Sequence, residues 1–270
     1  MKIGMKMASD QLPPRKTSAA GMFTLADLTA VTIVLALLSG LLLPILAAAR
    51  LQSRLATCQS NEGRLGLALS QYVQDNDGTF PGGSHYFYGE GWASQLYPYV
   101  HDTKAYACPE DAGHSVSYAY NLNLCGSATL ASLNAPSRTV ALAEVTDNRG
   151  DPSDPADEGS PAWNGLYYQS LIGVYNMWAS STANVQAATG DLGGLHEWGL
   201  VPRHSGGANY LLSDGHVRWL RPGAVSPGNN ALDPARGQTA TSTSGTAAGT
   251  AFTQRGGKTG ALFAATFSVR

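Results

Sequence analysis

The sequence predicts an α+β chain, with one long N-terminal helix laid against a small antiparallel β-sheet. Three observations predict it. An uncharged apolar run, Leu28 to Ala49, follows a basic leader and a lone acid, Asp27. Apolar residues then recur at helical spacing as far as Tyr72. Beyond them, short apolar alternations are separated by turn residues, as expected of strands. With 31 Gly, 14 Pro and only 13% charged residues, the composition suits a loop-rich exported domain better than a helical bundle.

Four segments follow from this reading: a basic leader over 1–21, a transmembrane helix over 22–49, a globular domain over 50–222 that includes the second half of the helix, and a tail over 223–270. The leader carries Lys2, Lys6, Arg15 and Lys16 against Asp10, so the remainder is more acidic than the net charge of −2 for the whole chain. No basic stripe is left for nucleic acid, and DNA or RNA binding is not expected. As a helix the apolar run rises about 33 Å, enough to cross a bilayer core. It exceeds the usual signal-peptide core, so it reads as a retained signal-anchor. The basic leader is expected to stay cytoplasmic, with the remainder facing outward. Thr24 is placed to cap the helix, with Asp27 three residues on in a capping-box-like arrangement.

The helix is not expected to stop at Arg50. Leu51, Leu55, Cys58, Leu65, Leu69 and Tyr72 form one apolar stripe, which Glu62 interrupts once. Pro44, Gly63 and Gly66 weaken the helix locally. It should run from about Thr24 to Gln74, where Asp75-Asn76-Asp77-Gly78 stops it with turn chemistry. That D-N-D-G is not read as a calcium loop, because the further EF-hand ligands are missing.

An aromatic-rich segment follows: Tyr86, Phe87, Tyr88, Trp92, Tyr97, Tyr99 and Tyr106. These rings are expected to cover the sheet and helix; the competing reading is a sugar- or peptide-binding surface. Ser117 to Leu122 and Thr139 to Val145 read as strands. Asp214-Gly215, between two apolar alternations, predicts a hairpin with a two-residue type I′ turn. Its register would set Leu212 opposite Val217 and Tyr210 opposite Trp219, on the buried side. After Pro222 the chain is Gly-, Ala-, Ser- and Thr-rich and reads as flexible, with a weak alternation over Ala261 to Val269 that suits an edge strand.

Of the three cysteines, Cys58 falls in the helix and Cys108 and Cys125 in the globular part. In an oxidising envelope the expectation is a Cys108–Cys125 bridge with Cys58 unpaired; three reduced, buried thiols are the alternative. No C-x-x-C occurs, which disfavours a zinc or redox motif. The chain has no H-E-x-x-H, G-x-S-x-G or phosphate loop, so enzymatic activity is not expected and no cofactor is assigned. His204, Asp214 and His216 offer ligand or acid–base chemistry. Structural roles are preferred for them: His204 bonding a backbone group, and Asp214 accepting the positive φ of the turn.

Basic leader, Gly21, Phe23-Thr24-Leu25, Asp27 and the apolar run together resemble the N-terminus of type IV prepilins and type II secretion pseudopilins. His204, nine residues, then Asp214-Gly215 is similar to the H-x9-D-G segment of a large pseudopilin-like family. The D-N-D-G turn, Trp92…Leu96-Tyr97-Pro98-Tyr99, Cys108-Pro109 and the closing D-G-H-V-x-W-L extend the likeness over roughly residues 15 to 220. The resemblance implies a lollipop-shaped structural subunit of a secretion or pilus-like assembly. It would be a single-pass protein of the bacterial inner membrane with its head in the periplasm or envelope. Its partners would be copies of itself or other pseudopilins, through the N-terminal helix, and the prepilin peptidase. Cleavage after Gly21 makes Met22 the first mature residue and Asp27 the sixth. Cleavage after Met22 keeps Phe23 first and Asp27 fifth. The small side chain at Gly21 favours the former. Asp27 would neutralise the N-terminal amine of a neighbouring subunit within the bilayer. Some pseudopilins bind calcium in a loop near the end of their sheet, which makes Asp147, Asp151 and Asp154 weak calcium candidates here. The runner-up function is a membrane-anchored module that binds polysaccharide or exported protein through the aromatics.

Overall fold

The computed structural model describes residues 24–82, 91–125, 128–146, 150–155, 162–163, 186–189, 192, 202–227, 238–239, 251–253 and 259–270. The fold is α+β, a long N-terminal helix and a small antiparallel sheet. The chain divides into two units, Met1–Ala48 and Ala49–Arg270.

Helix α1 is continuous over Leu25–Asp75, with Pro44 inside it. Thr24 and Asp27 close its N-terminus reciprocally: the Thr24 N–H and hydroxyl donate to Asp27 Oδ2 at 2.9 and 2.7 Å, and the Asp27 N–H donates to Thr24 Oγ1 at 3.2 Å. Two otherwise orphaned donors are satisfied in this way. Over residues 24–54 every side chain is exposed, large leucines and isoleucines included. The apolar part of α1 is long and hydrophobic enough to cross a membrane, with a mean hydropathy of 2.5 over its most apolar stretch.

In the second unit the helix changes character. Cys58, Glu62, Leu65, Gly66, Ala68, Leu69 and Val73 are buried along one face, at the spacing the stripe required. Leu51 is exposed, so the buried stripe begins later than its pattern suggested. The Asp75–Gly78 turn ends the helix as expected. Asp77 takes a left-handed φ of 53°, and the Gly78 N–H reaches back to Val73 O at 2.8 Å, a Schellman-type closure.

The sheet is built on β1 (Tyr118–Asn121), β2 (Val140–Thr146), β5 (Ala208–Leu212) and β6 (Val217–Leu220), in the order β1-β2-β5-β6 and antiparallel throughout. Two short strands, β3 (Ala162–Trp163) and β4 (Gln186–Ala187), add to β1 in parallel and to β2 antiparallel. Tyr118, Tyr120, Leu142 and Leu211 pack with the α1 stripe in one core. Ala119, Ala143, Tyr210 and Leu212 join a second core on the opposite face. Helix α2 (Trp92–Val100) was not anticipated in the sequence. It places Trp92, fully buried, against Tyr120 with ring centroids 6.0 Å apart, while the Tyr106 hydroxyl donates to Ala93 O at 3.0 Å.

Three expectations are corrected here. The hairpin register is Leu211 opposite Val217, Tyr210 opposite Arg218 and Asn209 opposite Trp219, one residue from the expected pairing. The turn is longer: Gly215 N–H donates to Leu212 O and Leu212 N–H to His216 O, with Gly215 at φ +89°. This is a type I turn closed by a glycine bulge, so Gly215 and not Asp214 takes the positive φ. A one-residue slip exchanges the faces, and Leu211 with Val217 now faces the helix. Second, the tail contributes to the core. Strand β7 (Val225–Ser226) pairs in parallel with β11 (Ala265–Thr266), and Val225, Ala265 and Phe267 are fully buried against the outer sheet face. Asn121 Nδ2 and Asn123 Nδ2 both donate to Phe267 O, at 3.0 and 2.8 Å, pinning the C-terminal segment. Strands β8 (Gln238–Thr239), β9 (Ala251–Thr253) and β10 (Thr259–Leu262) form a separate small sheet. Third, the disulfide joins Cys58 to Cys108, Cα to Cα 5.1 Å, and Cys125 is free. Cys58 lies on the buried face of α1, which carries it to the loop after Tyr106; sequence distance gave the wrong partner because the helix packs across that loop. Burial pushes the Cys125 thiol up to about 12, so it stays protonated.

Candidate functional site

The densest chemistry lies between α1 and the sheet, around His204. Residues His204 to Gly207 form a tight loop before β5, in which His204 N–H donates to Gly207 O and Gly207 N–H to His204 O at 3.0 and 3.1 Å. Ser205 and Gly206 both take positive φ, at 51° and 86°. A Cβ on Gly207 would run into the Trp219 ring, whose Nε1–H donates to His204 O at 3.1 Å. The His204 backbone is therefore fixed by its own loop and by β6.

The His204 ring is buried between two carboxylates: Nδ1 stands 3.0 Å from Glu110 Oε2 and Nε2 2.9 Å from Glu144 Oε1. Cys108 Sγ lies 3.6 Å from Nε2. Glu144 points to the helix side because it shares the β2 face of Leu142, and Asn209 Nδ2 on β5 donates to its Oε1 at 3.0 Å. Its Oε2 has no hydrogen-bond partner, and neither oxygen of the fully buried Glu62 has one. Burial raises the Glu62 pKa well above its ordinary value, and the Glu144 charge adds to that against a smaller opposing effect of Arg203. Alongside, Arg203 Nη2 donates to Val145 O and lies 3.3 Å from Asp111 Oδ2, while the Thr146 hydroxyl donates to Asp111 Oδ1 at 2.7 Å. His114 Nδ1 is 2.8 Å from the same oxygen. Buried charges in such a number need mutual pairing to be tolerated.

Of the H-x9-D-G residues, His204 and Asp214-Gly215 occupy different places. Strand β5 separates them, about 15 Å or more of extended chain. Gly215 instead sits against α1. A Cβ on Gly66 would stand 2.8 Å from Gly215 O and 2.7 Å from Leu211 Cδ1, so both glycines serve a close approach of turn and helix. Asp214 accepts from the His216 N–H at 3.1 Å, and its Oδ2 is 3.1 Å from the exposed His216 Nδ1. His204, Asp214 and His216 thus do not converge on one site.

Gly21, Met22, Phe23 and Asp147 lie outside the described residues, as do Tyr86, Phe87 and Tyr88. Asp27 is exposed and engaged with Thr24. Asp151 accepts from the Ser153 N–H and hydroxyl at 2.9 and 2.6 Å, and the Asp154 carbonyl accepts from Ser94 Oγ at 3.2 Å. Those bonds give the Asp151 carboxylate a loop-building role, whereas Asp154 bonds Ser94 through its backbone. Trp92 and Tyr106 are buried and do not form a binding surface. Glu62 was legible only as a break in a stripe. Glu110, Asp111, Glu144, Arg203 and Asn209 were not singled out, although Glu144 inside Val140-Ala141-Leu142-Ala143-Glu144-Val145 was a signal: a charge within an otherwise apolar strand.

Comparison with protein-family models, curated proteins and solved structures finds no match to this chain.

Proposed function

We propose that this chain is a membrane-anchored structural subunit, a pseudopilin-like component of a type II secretion or pilus-like envelope assembly. One observation carries the reading: the apolar stretch of α1 is exposed on all sides along residues 24–54, so within the described chain it has no protein covering. Such a surface is stable in lipid or against other helices, and not in water. The prepilin-like segment Gly21 to Asp27 and the H-x9-D-G residues add the family likeness. In this reading the helix anchors the subunit in the inner membrane with its leader cytoplasmic, and copies pack through it. Asp27, reachable at the start of the helix, exchanges its bond to Thr24 for the amine of a neighbour. The outward segment then presents the globular unit to the envelope.

The test is in-cell cross-linking between cysteines introduced along residues 30–45, in wild type and Asp27→Ala. The reading expects membrane insertion of both and a ladder of cross-linked multimers only in wild type. A helix that forms no multimers in wild type, or ladders unchanged by Asp27→Ala, would overturn the assembly role of the carboxylate. Mass spectrometry of the membrane-bound protein locates the cleavage, after Gly21 or Met22.

A further inference from the structure

We infer that, when the Cys58–Cys108 bridge is reduced, Cys58, Cys108, Glu144 and His204 form a closed, tetrahedral Zn2+ site. The ligand atoms of these four residues all lie within 4.8 Å of one another, and all four residues are buried. They come from four separate parts of the second unit: the buried face of α1, the loop after Tyr106, strand β2, and the loop before β5. No sequence motif announces the set, because each ligand is delivered by tertiary packing.

The geometry is close to what zinc needs. With Zn–S near 2.3 Å and Zn–N near 2.0 Å, a tetrahedral centre sets S and N about 3.5 Å apart. Cys108 Sγ and His204 Nε2 already stand 3.6 Å apart. Two sulfurs in such a centre lie about 3.8 Å apart, so the metal can enter only once the disulfide is open. Glu144 closes the fourth position; its Oε2 is buried without a hydrogen-bond partner and is free to ligate. The surroundings match as well. His204 Nδ1 lies 3.0 Å from Glu110 Oε2 without a hydrogen bond between them, so a small turn of that carboxylate would complete the carboxylate–histidine arrangement that orients a ligating imidazole through its far nitrogen. Asn209 holds Glu144 at 3.0 Å and Trp219 holds the His204 backbone at 3.1 Å. Two thiolates and an imidazole select zinc over calcium or magnesium, which prefer oxygen. With four protein ligands and no exposed position, the site is structural.

Bridge and metal are mutually exclusive. A dithiol reductant takes up the oxidation: its two thiols become a disulfide while the Cys58–Cys108 S–S bond is replaced by two S–H groups. Zn2+ then displaces the two protons and binds the thiolates, so the cross-link between α1 and the Cys108 loop is kept by a different bond.

The full-length protein in detergent micelles tests this, reduced with a phosphine, stripped by a chelator, and titrated with Co2+. The expected result is one equivalent bound, with thiolate-to-cobalt charge-transfer absorption and the intense visible bands of tetrahedral cobalt, both bleached by Zn2+. Zinc loading should slow alkylation of Cys58 and Cys108 at least tenfold and leave Cys125 unchanged. Glu110→Gln, which keeps all four ligands and the ability to form the bridge, should weaken cobalt binding about 10- to 100-fold. Cys125→Ser should bind as wild type. If reduction unfolds the domain, Co2+ or Zn2+ should restore its circular dichroism. Absence of the charge-transfer band, a weak octahedral spectrum, equal protection of Cys125, or retention of the spectrum in Cys58→Ser would each overturn the site.

Discussion

Breaking the Cys58–Cys108 bridge is the perturbation with the most direct structural magnitude. The bridge spans 50 residues of sequence. In the chain-entropy model, closing a loop of that length stabilises by about 4 kcal/mol. For a domain of roughly 200 residues each kcal/mol moves the midpoint about 2–4 °C, so loss of the bridge should lower it by about 8–16 °C. The assay is thermal and urea unfolding of the detergent-solubilised chain in a Cys125→Ser background, with chelator present to exclude metal. Cys58→Ala and Cys108→Ala should each lose nearly the whole amount, and the double variant little more, because either change removes the same cross-link. Peptide mapping of the untreated wild type should recover Cys58 joined to Cys108. A mapped Cys108–Cys125 peptide, or single variants whose losses simply add, would refute the reasoning.

Four further outcomes are expected. Glu62→Gln should stabilise the oxidised, metal-free protein at neutral pH. The buried carboxyl has a folded pKa well above its unfolded value, so its contribution is intact below about pH 4.3 and is lost as pH rises toward the folded pKa. The gain over wild type should therefore vanish in acid; urea midpoints between pH 4 and 8 that stay parallel would count against it. Gly66→Ala should destabilise by about 1–3 kcal/mol despite alanine's better helix propensity, because its Cβ meets Gly215 O and Leu211. Gly63→Ala, with open space around its Cβ, should stabilise by about 0.5–1 kcal/mol in the same unfolding assay. Trp92→Ala should cost about 3–5 kcal/mol, since the ring is stacked inside the core. A loss of polysaccharide retention at unchanged stability would instead restore the binding role of that ring.

Much of the architecture could be read from local signals. Helix α1 begins and ends within a residue of where Thr24 and Gln74 placed it, because capping, helical spacing and the Asp77 left-handed stop act over a few residues. Strands β1 and β2 fell within a residue of the segments read as strands, Ser117 to Leu122 and Thr139 to Val145. The hairpin was recognised but misregistered, since Asp-Gly suits a two-residue turn and equally the last positions of a bulged one. The alternation over Ala261 to Val269 did mark a strand, β11, but its partner β7 was hidden in a segment read as flexible, because composition says nothing about Val225, whose burial depends on the sheet face waiting for it.

Periodicity and turn chemistry along the chain thus settle the long helix, its apolar surface, and the existence of a small sheet. These depend on neighbours within about one or two helical turns, and those neighbours are written next to each other. Which cysteines pair, where His204 points, and why Glu62 and Glu144 are tolerated in a core were decided only by tertiary packing. Residues 58, 108, 144 and 204 share no local pattern; the helix and sheet faces bring their ligand atoms within 4.8 Å of one another, and no spacing rule encodes a contact made between faces.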